Sequence, residues 1–214
     1  MLGMGVIGSG VARALSQKSD SLASQIGAKA CLKSVLVRDK AKQRSFEIAQ
    51  NLVTDNFDEI LERTDIDIVV EVMGGEHPAL EFILAALESG KHVVTANKEV
   101  MAKHGPDIFA AARRKDVRVL FEASVAGGTP VVSPLMRDLV ANEVVSIKAI
   151  INGTTNYILT RMSSEQIDYK IVLKDAQDLG YAEPDPTNDV EGIDAAYKLA
   201  ILSTLGFRAQ VKDS

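Results

Sequence analysis

Cysteine is nearly absent from this sequence: Cys31 is the only one in 214 residues. That excludes an internal disulfide and fits a reducing cytoplasm. Its setting in the apolar run CLKSVLV predicts a buried core thiol rather than a nucleophile. No apolar run approaches the roughly 18 residues that a membrane-spanning helix needs. The opening residues show no basic-then-apolar leader, since a glycine motif begins at Gly3. Positive charge is not in excess either. The net charge of −5 argues against a broad nucleic-acid or anionic-membrane surface. Internal repeats and low-complexity segments are lacking. What remains is an ordinary globular composition, 46% hydrophobic, long enough for one large or two small domains.

The first two thirds alternate between two textures. Short, apolar, β-branched runs at Cys31–Val37, Ile66–Val72, His92–Thr95 and Arg118–Ala123 predict strands. Helical patterns lie between and before them at Val11–Ile26, Phe57–Arg63, Pro78–Ser89 and Pro106–Lys115. Pro78 and Pro106 suit the first turns of their helices. Strand, helix and strand in succession predict an α/β, doubly wound parallel sheet that binds a nucleotide. A domain boundary is expected near Pro130, giving a dinucleotide-binding domain at 1–129 and a substrate domain at 130–214. In the second part, helices are expected at Pro130–Val140, Thr155–Met162, Tyr169–Leu179 and Ile193–Leu205, and a strand at Val144–Ile151.

Gly3-Met4-Gly5-Val6-Ile7-Gly8 is a GxGxxG. Such glycines allow a tight turn, close approach of a pyrophosphate and close helix–strand packing, with the phosphates at a helix N-terminus. A chance glycine turn is the alternative. The strand before the motif is only Met1-Leu2, either a stub or the remnant of a longer one. The second strand ends in Val37-Arg38-Asp39-Lys40. An acidic residue there would serve the ribose hydroxyl of NAD, whereas Arg38 with Lys40 favours the 2′-phosphate of NADP. A solvated charged turn is the competing reading. The span from Gly8 to Arg38 exceeds the usual ~20 residues; a longer first helix and a loop around Ser19–Gly27 would absorb the excess. Met73-Gly74-Gly75 and Thr95-Ala96-Asn97-Lys98 close the next two strands, at the carboxyl ends where open α/β sheets bind ligands. Lys98 is disfavoured by the dipole at a helix start, which points to a functional reason for it.

Three segments concern the second half. Glu122-Ala123-Ser124-Val125-Ala126-Gly127-Gly128 reads from spacing as a tight connection between domains. Its small residues also suit a turn of carbonyls around a hard cation. Asn152-Gly153-Thr154-Thr155-Asn156 opens a helix, as an N-cap and as groups able to bind a small polar ligand. The stretch Ala182–Lys198, AEPDPTNDVEGIDAAYK, holds five carboxylates and one lysine. Asp194 and Lys198 share a helical face, and Glu183, Asp185 and Asp189 can converge on it. A solvated acidic loop with a surface ion pair is the plain reading. A site for a cationic group, such as a substrate ammonium, is the other.

In chain order, GMGVIGSGV, VRD, EVMGG, VVTANK, FEASVAGGTPVV, INGTTNYIL and LGYAEPDPTNDVEGIDAAYKLAIL make the sequence resemble homoserine dehydrogenase, from residue 3 to about 205. The resemblance implies a Rossmann-type domain followed by an α+β substrate and dimerisation domain. It implies NAD(P)H-dependent reduction of L-aspartate 4-semialdehyde to L-homoserine, on the route to threonine, methionine and isoleucine. By position, Lys198 matches the proton donor to the aldehyde oxygen, and Asp194 the group that orients it. Glu183 and Asp189 match the holders of the substrate amino group, with Gly153, Thr154 and Tyr181 beside the substrate. Gly3, Gly5, Val6, Ile7, Gly8, Arg38, Lys40, Gly74, Thr95 and Lys98 fall at cofactor positions, Val6 where members commonly carry threonine. Glu122, Val125, Gly127 and Thr129 match a loop that binds sodium. The partners implied are a small-molecule substrate and a second copy, as a homodimer, with no nucleic acid or membrane. The family's catalytic region is expected to continue beyond Ser214, and the regulatory extension that some members carry is not expected within this sequence. An inactive dinucleotide-binding fragment and a related Rossmann-fold amino-acid reductase are the alternatives.

Overall fold

The computed structural model describes residues 1–211. The chain divides into two compact units, Met1–Ala123 and Ser124–Ser214.

The first unit is built on parallel strands: β1 (Val35–Leu36), β2 (Val53–Thr54), β3 (Ile68–Glu71), β4 (His92–Thr95) and β5 (Val119–Leu120). Two ladders, β1-β2 and β3-β4-β5, are joined through Leu2, which makes single parallel bridges to Leu36 and Glu71. Its N–H donates to Val70 O at 2.7 Å, and its carbonyl accepts from Val72 N at 2.9 Å. The stub is therefore the central strand, and the order runs β2-β1-Leu2-β3-β4-β5. The chain steps outward from Leu2 in both directions, so the strand order reverses beside it. In doubly wound sheets that reversal is where ligands bind, beyond the carboxyl ends. Leu2 is fully buried, a gain of about 1.5–3 kcal/mol for a side chain of its size.

β4 spans the expected residues, and β3 lies inside its expected run. β1 and β5 are shorter than predicted, and β2 was not anticipated. Met1 and Leu2 offer only two residues to pair, and the ladder beside them is correspondingly short. Cys31 precedes the paired segment and is exposed, which overturns the expectation of a core thiol. The first helical region is two helices, α1 (Val6–Gln17) and α2 (Ser19–Ile26), the second ended by left-handed Gly27. That extra helix is what lengthens the span from Gly8 to Arg38. α3 (Asp58–Leu61) and α4 (Ala79–Glu88) fall within their predicted spans. α5 (Lys98–Arg114) starts well before Pro106, which lies inside it. Its real start signal is Asn97, whose side chain accepts from Val100 N at 3.2 Å.

Among the described residues the second unit forms no strand. The segment 144–151, expected as one, has no partner ladder, and a strand needs one to satisfy its N–H and C=O groups. Val145 and Ile150 are exposed. Where a helix was expected at Pro130–Val140, a shorter helical segment forms at 132–138, π-helical over Pro134–Asp138. α6 (Gly153–Glu165) and α7 (Tyr169–Asp178) pack Ile158, Val172, Ala176 and Ala182 into one core. α8 (Thr187–Val190) and α9 (Ile193–Phe207) follow, separated by left-handed Gly192.

Candidate functional site

At the carboxyl ends of the central strands the first unit holds a cavity of about 810 Å³, whose lining includes Gly3, Gly5, Arg38, Asp39 and Gly74. The three glycines of the motif serve three different ends. Gly3 has φ +96°, and a Cβ there would meet Val72 O at 2.8 Å. A Cβ at Gly8 would collide with the Gly3 carbonyl. Gly5 is the N-cap of α1, and a Cβ there would meet nothing within 4 Å. The outer two glycines close the turn, while the middle one leaves open space before the free N–H groups of a helix start. That combination fits a pyrophosphate.

Arg38 lines this cavity, and Lys40 does not. Lys40 instead donates to Asp55 at 2.8 Å, and that pair raises the lysine's pKa and lowers the carboxylate's. Lys42 and Arg44 line the cavity as well, and sequence reading passed over both. Arg44 is turned inward on the loop, donating to the Asp39 and Lys42 carbonyls. Val6 and Ile7 begin α1 with exposed side chains, so only their backbone faces the phosphate position.

Behind the cavity, Glu71 is fully buried at the end of β3. It accepts from Met73 N at 2.8 Å and from Thr95 Oγ1 at 2.5 Å. Thr95 Oγ1 in turn accepts from Asn97 N at 2.9 Å, and Asn97 Nδ2 donates to Gly75 O at 2.7 Å. One carboxylate thus ties the Met73–Gly75 loop to the Thr95–Lys98 turn. Thr95 works inside this network rather than on the cavity wall. Lys98 is half-buried as the first residue of α5.

The second unit has its own cavity, about 550 Å³, lined by Asn152, Gly153, Thr154, Tyr157, Tyr181, Asp189, Asp194 and Lys198, with Gly180. α9 places Asp194 and Lys198 one turn apart, and Lys198 Nζ donates to Asp194 Oδ2 at 2.6 Å and to Ile151 O at 2.8 Å. The lysine side chain is 21% exposed and the aspartate 9%. Asn152 caps α6 and also donates to Asp189 Oδ1 at 2.7 Å and Asp194 Oδ2 at 3.0 Å. Thr154 Oγ1 donates to Tyr181 O at 2.7 Å, which pins the tyrosine-bearing loop to α6. The Tyr157 and Tyr181 rings meet at 5.0 Å between centroids. One lysine, two carboxylates and a helix N-terminus therefore share one cavity. Such a set can bind an amino acid by both its charged ends and offer a cation to a third group.

Of the residues expected here, Gly153, Thr154, Tyr181, Asp189, Asp194 and Lys198 line the cavity, and Glu183 does not. Glu183 is exposed, its carbonyl accepting from Gln177. Asp185 does not converge either; it accepts from Thr187 Oγ1 at 2.6 Å within its own loop, which lowers its pKa. The segment opening with Asn152 is expected to cap a helix and to be able to bind a small polar ligand; the bonds of Asn152 to two carboxylates are an addition to both. In the loop expected to bind a cation, Glu122–Ser124 is a 3-10 turn and Val125 is buried. Ala126 and Gly128 hold φ of 51° and 85°, and Thr129 N donates to Ala126 O at 2.7 Å. Among the described residues no group of three or more His, Cys, Asp or Glu could hold a metal. No helix there is long and apolar enough to cross a membrane.

Comparison with known proteins agrees in both units. The family model "Homoserine dehydrogenase, NAD binding domain" matches residues 3–122, and "Homoserine dehydrogenase" matches residues 130–214. Homoserine dehydrogenase of Bacillus subtilis is 44% identical over 211 residues, 99% of this chain and 49% of that protein. That of Synechocystis is 48% identical over 214 residues, 99% of this chain and 48% of that protein. The crystal structure of a homoserine dehydrogenase from Thiobacillus denitrificans superposes with a TM-score of 0.92 at 44% identity, over 99% of this chain and 49% of that one. A hyperthermophilic archaeal homoserine dehydrogenase in complex with NADPH gives 0.81 at 27% identity, over 98% and 69%. The chain spans about half the length of the curated relatives it matches.

Proposed function

The chain belongs to the homoserine dehydrogenase family, and from that membership we propose that it carries the residues for NAD(P)H-dependent reduction of L-aspartate 4-semialdehyde to L-homoserine. The observation that carries this reading is the cavity joining Lys198, Asp194, Asp189 and the start of α6. Lys198, hydrogen-bonded to Asp194, meets the developing negative charge on the aldehyde oxygen and gives it a proton. Asp189 receives the substrate ammonium; Glu183, exposed outside the cavity, would have to swing in to join it. The free N–H groups at Gly153 and Thr154 receive the substrate carboxylate. Tyr181, fixed through its carbonyl by Thr154, lines the cavity.

The cofactor supplies hydride to the aldehyde carbon when bound. Its pyrophosphate suits the open Gly5 turn at the start of α1, with Val6 and Ile7 contributing backbone. Arg38, with Lys40 behind it, suits the 2′-phosphate of NADP. Gly74 lines the same cavity and Lys98 begins α5 at the end of β4, both suited to the nicotinamide end, with Thr95 holding the turn beneath them. Glu122, Val125, Gly127 and Thr129 offer only oxygen donors, the chemistry a sodium ion takes. The expected setting is a homodimer in the cytoplasm, in the biosynthesis of threonine, methionine and isoleucine. The test is NADPH oxidation with aspartate 4-semialdehyde, on soluble protein, beside Lys198→Ala. Turnover lost in the variant supports the reading. NADPH binding without turnover in the unaltered chain would make it a dinucleotide-binding fragment.

A further inference from the structure

Every hydrogen-bonding position of the Asn152 side chain is in use, and the two halves of the amide do different work. Oδ1 accepts from Thr155 N at 2.8 Å and from Thr155 Oγ1 at 2.9 Å. That is helix capping, and an aspartate or serine oxygen performs it about as well. Nδ2 directs one hydrogen to Asp189 Oδ1 at 2.7 Å and the other to Asp194 Oδ2 at 3.0 Å. Capping does not require that. Only an amide has, on one rigid group, an oxygen for the helix and two hydrogens for two acids.

Asp189 and Asp194 converge on one nitrogen, and neither is the other's natural neighbour. Two carboxylates that share a site repel, and one then tends to take a proton unless a donor lies between them. Asp194 Oδ2 is also the oxygen that accepts from Lys198 at 2.6 Å. The amide therefore limits where that oxygen can sit, and so the direction in which Lys198 points. Asn152 is 7% exposed, so water does not readily replace the amide.

We propose that Asn152 is a positioning residue: its amide holds the substrate-ammonium carboxylate, Asp189, at a fixed spacing from Asp194, and through Asp194 it aims Lys198. This rests on the reading of the cavity given above. It extends that reading to a residue that touches no reacting atom.

The test uses Asn152→Asp and Asn152→Ser in the full chain. Both keep a capping oxygen, and neither keeps the two donors. The expected result is earlier unfolding, more so in Asn152→Asp, whose carboxylate meets Asp189 and Asp194, with kcat per folded enzyme for semialdehyde reduction down on the order of 100-fold, the usual penalty for slight misplacement. In Asn152→Asp the third carboxylate joins Asp189, Asp194 and Lys198 in the cavity, and the acid limb of the kcat profile moves to higher pH. A second readout needs no turnover. The rate at which acetic anhydride labels Lys198, followed by peptide mass spectrometry, should rise several-fold in Asn152→Ser, because the ion pair is no longer held. Unaltered kcat in both variants overturns the assignment, as does loss of kcat only in proportion to lost folded protein. If the unaltered chain shows no turnover, the enzymatic reading fails and the labelling rate alone decides. An unchanged rate in Asn152→Ser then sinks the positioning role.

Discussion

Replacing Lys198 with methionine keeps an unbranched apolar stem of similar reach and removes the ammonium, with its charge and its donated hydrogens. Two acceptors each lose one donor: Asp194 Oδ2 at 2.6 Å and Ile151 O at 2.8 Å. Breaking a fully buried ion pair costs about 3–5 kcal/mol, and an exposed pair contributes under about 1 kcal/mol. Here the lysine is 21% exposed and the aspartate 9%, so an intermediate loss of about 2 kcal/mol is reasonable. Leaving the Ile151 carbonyl one donor short adds roughly another 0.5–1 kcal/mol. For a chain of this size each 1 kcal/mol lowers Tm by roughly 2–4 °C. Lys198→Met should therefore unfold roughly 5–12 °C below the unaltered protein. The sharper expectation concerns the pair. Adding Asp194→Asn removes the carboxylate that has lost its lysine, so the double variant should be more stable than Lys198→Met alone, with a coupling between the two sites of about 1–2 kcal/mol. The assay is thermal or urea unfolding of the four proteins at neutral pH. A Lys198→Met midpoint equal to the unaltered one, or a double variant no more stable than the single, would refute the view that the Lys198–Asp194 pair contributes to stability. Turnover should fall by roughly 10²–10⁴-fold in either lysine variant, the usual worth of a positioned acid.

The remaining expectations concern the first unit. Gly5→Ala should leave Tm unchanged, since a Cβ there meets nothing within 4 Å, yet weaken NADPH binding in a fluorescence titration. Gly3→Ala should unfold early instead, with its Cβ 2.8 Å from Val72 O; equal behaviour of the two would be contrary to the phosphate-turn geometry. Glu71→Leu orphans the Met73 N–H and the Thr95 hydroxyl, each about 1–3 kcal/mol, partly offset by removing a buried charge. Its Tm should drop and its KM for NADPH rise, whereas Glu71→Gln, which keeps one acceptor, should fall between. Glu76 is held at a pKa of about 2 by hydrogen bonds from Lys103 and His104. A depressed carboxylate gives stability that is complete above its unfolded pKa and is lost as pH falls from about 4.5 toward about 2. Glu76→Gln should flatten unfolding midpoints across that acid window, and an unchanged slope would count against the contribution. Arg38→Ala should raise KM for NADPH about tenfold or more while sparing NADH, and parallel loss for both cofactors would remove Arg38 from the 2′-phosphate.

What could be read from the sequence was what repeats locally. β4 stands where expected because His92–Thr95 carries adjacent valines in a short run with turn residues on either side. Asp194 and Lys198 meet because four residues make one helical turn. The errors have physical causes of the same kind. Pro106 mimicked a helix start, although Asn97 had already capped that helix. Cys31 sits in an apolar run, but pairing begins only at Val35. The segment 144–151 has a strand's texture without a partner ladder among the described residues, and texture alone satisfies no backbone group. Asn152 is the instructive case. Its position before a helix is fully explained by capping, so nothing local asks for a second role. That role depends on Asp189 and Asp194, 37 and 42 residues away, and no period connects them. A second cue was nevertheless present. Serine, aspartate and asparagine all cap helices, and only asparagine also brings two donors to a cavity lined with acids. The residue type carried information that the position did not, and it became visible only once the carboxylates had been placed around it.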